Sequence, residues 1–157
     1  MLFPAEDMRH VFELTAGIWT TTQRCLETAL RPLSMTYPQF GVLLALLGQE
    51  GMTQRELGEM LQIDRTTVSV ICDSLERHGW AERRPDPSDR RAKRVFLTPL
   101  GRETIARAQP IVWDAYAIVS DVLSAEDIAV VVPKLERLKA ALKAAQGEGA
   151  ADASAEG

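Results

Sequence analysis

Apolar residues recur at helical spacing through the first thirty positions: Met8, Val11, Phe12, Thr15, Ile18, Trp19, Thr22, Leu26, Ala29. The spacing predicts a first helix from about Ala5 to Leu30. Helices in globular domains average ~10–14 residues, so this one is long and suited to packing against another chain. Thr36 and Gln39 bracket Pro38 in a capping pattern that opens a second helix. Its apolar run, Phe40 to Leu47, ends at Gly48 or Gly51. Thr53 and Glu56 repeat the pattern for a short third helix reaching about Leu61. Asp64 caps a fourth, which Gly79 ends.

The period then changes. Residues 80–84 and 94–98 read as two short strands, and the Pro85-Asp86-Pro87-Ser88-Asp89 stretch between them excludes helix. Thr98-Pro99 restarts a helix that reaches about Leu123, with a kink expected at Pro110. Ser124 to Asp127 opens the last helix. Ile128, Val131, Leu135, Leu138, Leu142 and Ala145 form a narrow apolar seam along it, with a bend expected at Pro133. Residues 147–157, rich in Gly, Ala and acid, predict a disordered tail.

The fold class expected is mainly α with a small β-hairpin: a winged helix-turn-helix plus long N- and C-terminal dimerisation helices. By region, 1–34 and 99–146 form the helical dimerisation part and 35–98 the winged helix-turn-helix. The 157 residues, 46% of them apolar, suffice for a real core. No run approaches the ~18–20 apolar residues of a membrane span. The first ten residues lack a signal-peptide pattern, and two cysteines without metal-ligand spacing fit a reducing cytosol. A cytoplasmic location is expected.

Net charge is −4, which argues against coating nucleic acid by bulk charge. The distribution says more. Between residues 83 and 94, six cations (Arg83, Arg84, Arg90, Arg91, Lys93, Arg94) face two acids, Asp86 and Asp89. A cationic loop on an acidic body aims at phosphate in one orientation.

A helix-turn-helix places its second helix in the major groove, with base contacts from the N-terminal part. The candidates there are Arg65, Thr66, Thr67 and Ser69, with Val70 toward a thymine methyl. Val68, Ile71, Cys72 and Leu75 share the opposite, inward face. Asp73 accepts from a cytosine or pairs with Arg77 four residues on. From the wing, Arg90 and Lys93 supply phosphate or groove contacts.

The stretch DPSDRRAKRVFLTPLGRE resembles the wing of the MarR family of bacterial transcription regulators. Asp89, Arg91, Leu97, Thr98 and Gly101 match the family pattern Asp-x-Arg, a variable run, Leu-Thr and a Gly. LRPLSMTYPQFGVLLAL resembles the family's first-to-second helix junction, and the likeness covers roughly residues 8 to 145. The resemblance implies that Arg91 enters the minor groove and that Asp89 braces the wing. It implies a homodimer on double-stranded DNA with a near-palindromic operator, acting as a repressor released by a small, often aromatic, effector. Phe12, Trp19, Tyr37, Phe40, Trp113 and Tyr116 are candidates for the effector pocket, although aromatics at helical spacing also serve as core.

Family members that sense peroxides carry a cysteine early in the first helix. That position falls near residues 15–18 here, where there is none. Cys25 reads as a buried or interface thiol and Cys72 as core, which leaves a thiol-based redox-sensing regulator as an alternative. A winged-helix protein-interaction module without DNA readout is another. No metal or cofactor is expected. With no phosphate-binding glycine loop and no nucleophile elbow, neither is an enzyme.

Overall fold

The computed structural model of the protein describes residues 5–88 and 92–153. The chain divides into two compact units, Met1–Ala115 and Tyr116–Gly157. The division falls within a helix, whereas the sequence divides the chain by role at residues 34 and 99.

In the first unit, α1 (Ala5–Leu30) leads through a 3-10 turn at Arg31–Leu33 into α2 (Tyr37–Gly48). β1 (Met52–Thr53), α3 (Gln54–Leu61) and α4 (Arg65–Arg77) follow. β2 (Ala81–Pro85) and β3 (Lys93–Leu97) form the hairpin, and α5 (Pro99–Val122) begins after it. The expected elements are present within a residue or two. The addition is β1, which pairs antiparallel with β3 at Met52 and Val95, so the hairpin is part of a three-stranded sheet of order β1-β3-β2.

Local chemistry explains the boundaries. The Thr36 hydroxyl accepts from the Gln39 amide while the Gln39 side chain accepts from the Thr36 amide at 2.8 Å, a complete capping box. Thr53 and Glu56 repeat it. Gln62 ends α3 in the left-handed region at φ 56°. The core gathers where the C-terminal part of α1 meets α2, α3, α4 and β3: Leu26, Leu30, Leu43, Leu46, Leu57, Leu75 and Val95 are all buried. The N-terminal half of α1 stays out of it, with Val11, Phe12, Ile18 and Trp19 exposed.

The wing is joined to α5 by a close crossing. The Thr98 hydroxyl accepts from the Gly101 amide at 3.0 Å, donates to the Gly79 carbonyl at 2.6 Å, and thereby caps α5. The Thr98 amide donates to the Trp80 carbonyl at 3.1 Å. A Cβ on Gly101 would lie 1.8 Å from that carbonyl oxygen, so only glycine fits.

In the second unit, α6 (Ala125–Ala153) starts with a reciprocal cap between Ser124 and Asp127. Ile128, Val131, Leu135 and Leu142 are exposed along it. Pro110 and Pro133, where a kink and a bend are expected, lie within α5 and α6. α6 continues over residues 147–153, where a tail was expected. Ala and Glu there are strong helix formers, and each glycine costs only about 1 kcal/mol.

Gly101→Ala should destabilise the first unit by about 1–3 kcal/mol or more, because the neighbour is main chain and cannot turn aside. Denaturant unfolding checks this; an unchanged midpoint would contradict the close crossing.

Candidate nucleic-acid interface

One face of α4 is committed to the core. Val68, Ile71, Cys72 and Leu75 are buried, and the opposite face carries Thr66, Val70, Asp73 and Arg77 into solvent, Val70 with 60% of its surface exposed. Asp64 caps the helix by accepting from the Thr67 amide at 2.9 Å and the Thr67 hydroxyl at 2.5 Å. These bonds hold the Asp64 carboxyl below its ordinary range. Arg65 and Thr66 stand exposed beside the cap, and Ser69 is half-buried. The Thr67 hydroxyl, a candidate base contact by sequence, is engaged by the cap instead.

Between α3, the start of α4 and the base of the wing lies an open groove of about 1110 Å³. Arg55, Gln62, Arg65, Lys93 and Arg94 line it.

The hairpin cations divide sharply. The Arg83 side chain is only 12% exposed and lies between Asp73 at 2.6 Å and Glu76 at 2.5 Å. Burial opposes its charge, but the two carboxylates outweigh that and raise its pKa. Arg84 pairs with Glu82 and stacks over the Phe96 ring at 4.7 Å. Arg94 donates to Asp86 at 2.6 Å and to the Gly51 carbonyl at 2.7 Å. Three of the six cations that the sequence counts toward a phosphate-seeking loop are therefore held by the protein. The count misleads because Asp73, Glu76 and Glu82 lie outside the window in which it is made. Asp73 correspondingly pairs with Arg83 rather than Arg77. Lys93 is exposed at the loop end of the hairpin, opposite Pro85. Asp89, Arg90 and Arg91 lie outside the described residues.

Asp86, which the sequence suggests only as a counter-charge, braces the wing base. It is buried and accepts from the Ser88 hydroxyl at 2.6 Å, the Ser88 amide at 2.7 Å and Arg94. The Ser88 bonds, with Arg94 adding to them against burial, bring its pKa down to about 2. An Asp two residues before a Ser in a Pro-rich turn is a local signal for this brace.

The aromatic candidates separate. Phe40 is a core residue. Trp19 and Tyr37 meet edge to face, with centroids 6.3 Å apart. Phe12 and Trp113 are exposed, and Tyr116 belongs to the second unit. His78 sits at the end of α4, its Nδ1 2.7 Å from the Ser74 carbonyl and its ring stacked on Trp80. Cys72 is buried, and burial pushes its thiol pKa up despite nearby Arg83, so the reactive thiolate is disfavoured. Cys25, read from the sequence as a buried or interface thiol, is exposed in the single chain.

A helix with one face free, flanked by a hairpin, is an arrangement found in known proteins. Residues 33–92 match the model of the MarR family. The multiple antibiotic resistance protein MarR of Escherichia coli is 30% identical over 116 residues, which cover 73% of this chain and 81% of that protein. The chain belongs to the MarR family. The HTH-type transcriptional regulator TtmR of Methylorubrum extorquens is 37% identical over 79 residues, 50% of this chain and 40% of that protein. The chain thus spans about half, or less, of the length of some MarR-family relatives that it matches. Among solved structures, a cysteine-to-serine mutant of E. coli MarR complexed with operator DNA has a TM-score of 0.79 at 26% identity. It is matched over 87% of this chain and 99% of that one.

The Asp86 brace has a pH signature. Its carboxylate is depressed from 3.8 to about 2 in the folded state. The stability it adds is therefore fully present above about pH 4 and lost as pH falls through 2. Asp86→Asn should be less stable than wild type at neutral pH, and the gap should close between pH 4 and 2. A gap in urea-unfolding stability that stays constant across that window would contradict the brace.

Proposed function

We propose that this chain is a sequence-specific DNA-binding transcription regulator, a homodimeric repressor released by a small, often aromatic, effector. The observation that carries the DNA-reading part is the free face of α4 beside the wing base. Arg65, Thr66 and Val70 are exposed on a helix whose other face is fixed in the core. A major groove about 12 Å wide accepts such a helix. Arg65 forks onto a guanine or a phosphate, and Thr66 and Ser69 add polar contacts. Arg90, Arg91 and Lys93 serve the adjoining minor groove and phosphates, with Asp89 bracing the loop. The E. coli relative bound to operator DNA supports this reading.

Support for the dimer comes from apolar surface that the single chain leaves uncovered. Val11, Phe12, Ile18 and Trp19 are exposed on α1, Ile118 and Val122 on α5, and Val131 and Leu135 on α6. Residues 1–34 and 99–146 form the dimerisation region in this proposal, and 35–98 the DNA-binding region. A two-fold dimer reads a near-palindromic operator whose half-sites lie about 34 Å apart. Trp19 and Tyr37, already in ring contact, are the first aromatics to test for the effector. Among the described residues no helix is long and apolar enough to cross a membrane. The proposed setting is the cytoplasm, and no residue is assigned a catalytic role.

Wing and recognition-helix variants test the DNA contacts. In a salt titration on duplex DNA, Arg91→Ala and Lys93→Ala should each weaken binding and flatten the slope of log K against log salt by about 0.9 per lost phosphate contact. Arg65→Ala should cost about 1–3 kcal/mol on its preferred sequence. Unchanged affinity and slope in all three would leave a protein-binding module as the better reading.

A further inference from the structure

We propose that Arg83 is the positioning residue that sets how sharply this chain discriminates one DNA sequence from another. The proposal rests on the DNA-reading function above and adds a residue that does not itself touch DNA.

Three elements meet on one guanidinium. Nη1 of Arg83 donates to Asp73 at 2.6 Å and Glu76 at 2.5 Å, one turn apart on α4. Nη2 donates to the Ser69 carbonyl at 3.3 Å, a turn earlier. Gln54, the first residue of α3, completes the set: with its amide oriented by its hydrogen-bonding surroundings, the oxygen accepts from Nη2 at 2.6 Å and Nε at 3.1 Å. The Arg83 main-chain amide donates to the other Glu76 oxygen at 2.9 Å. Arg83 itself is the middle residue of β2, opposite Val95 in the hairpin. One side chain thus joins the reading helix, its partner helix and the wing.

Directional bonds matter here because apolar packing leaves latitude. Ridges and grooves set a helix crossing only to within about 15–20°. A base contact tolerates far less, since a forked hydrogen bond needs both donors in place. A phosphate contact made by a flexible cation tolerates more. Arg83 fixes the roll of α4 against the wing, which base readout requires and general phosphate attraction does not. With 12% of its side chain exposed and its Nε, Nη1 and Nη2 all engaged, Arg83 is poorly placed to serve a phosphate.

The same contacts explain an acid on the DNA-facing side of α4. Asp73 lies on the face of Thr66 and Val70 with 58% of its side chain exposed. Taken alone it would repel phosphate. Paired to Arg83, it anchors the helix instead. The two descriptions give opposite expectations for Asp73→Asn, which is an exposed and structurally mild change.

The test compares wild type, Asp73→Asn and Arg83→Gln on two duplexes across a salt series. One duplex is the sequence that wild type selects from a random pool; the other is a scrambled duplex of equal length and composition. Asp73→Asn should lower the ratio of selected to scrambled affinity by about tenfold, while scrambled affinity holds or rises and its salt slope is unchanged. Arg83→Gln should lower the ratio further with the same slope. Asp73→Asn tightening both duplexes equally would overturn the proposal, as would an unchanged ratio. So would Arg83→Gln weakening both equally with a slope reduced by about 0.9, which marks a phosphate contact. If Arg83→Gln fails to fold, Asp73→Asn still decides. A wild type that selects no sequence overturns the DNA-reading function and this proposal together, whereas a selective wild type with unaltered variants overturns only this one.

Discussion

Burial of one face of α4 is the constraint on which the rest of the first unit depends. Val68, Ile71, Cys72 and Leu75 leave water together. Each fully buried aliphatic side chain among them contributes about 1.5–3 kcal/mol. Because a helix presents its faces in fixed rotation, committing these four exposes Thr66, Val70, Asp73 and Arg77. The free face is a consequence of the core beneath it. Substitution on the free face therefore leaves the core intact.

The wing is tied to that helix by polar geometry and to α5 by close main-chain approach. Arg83 and Asp86 serve different ends of the hairpin. Arg83 binds its middle to α4, and Asp86 holds its distal base through Ser88 and Arg94. At the other end, Thr98 satisfies the start of α5 and the Gly79 carbonyl at once, and Gly101 lets the helix approach Trp80. The Leu-Thr-x-x-Gly run by which the sequence resembles its family has this physical content: a cap residue followed by the one residue type without a clashing Cβ. Hairpin, α4 and the start of α5 are placed relative to one another by a handful of directional contacts laid over a non-directional core.

What was legible in the sequence is what local chemistry decides. Capping boxes at Thr36 and Thr53, the Asp64 cap, the glycine stop at Gly79 and the inward face of α4 all rest on residues within a turn or two of one another. β1 was not legible. Two residues, Met52 and Thr53, carry no strand period, and they form a strand only because β3 pairs with them from more than forty residues away. The charge of the hairpin was legible but its use was not, since the partners of Arg83 come from α4 and α3. Aromatic identity and period could not separate Phe40, which is core, from Trp19, which is exposed, because both occur at the same spacing. Asp86 carries a local signal in its spacing to Ser88, whereas its bond to Arg94, eight residues on, is visible only in three dimensions.

The central claim is that two copies of this chain present their α4 faces to DNA together. Selection of bound duplexes from a random pool, with the mass of the complex recorded, tests it most directly. The expected result is an enriched near-palindrome, its half-sites one helical turn apart, carried by a complex of two chains and one duplex. No enrichment from a well-folded, reduced protein, or an enriched sequence bound by a single chain, would contradict it.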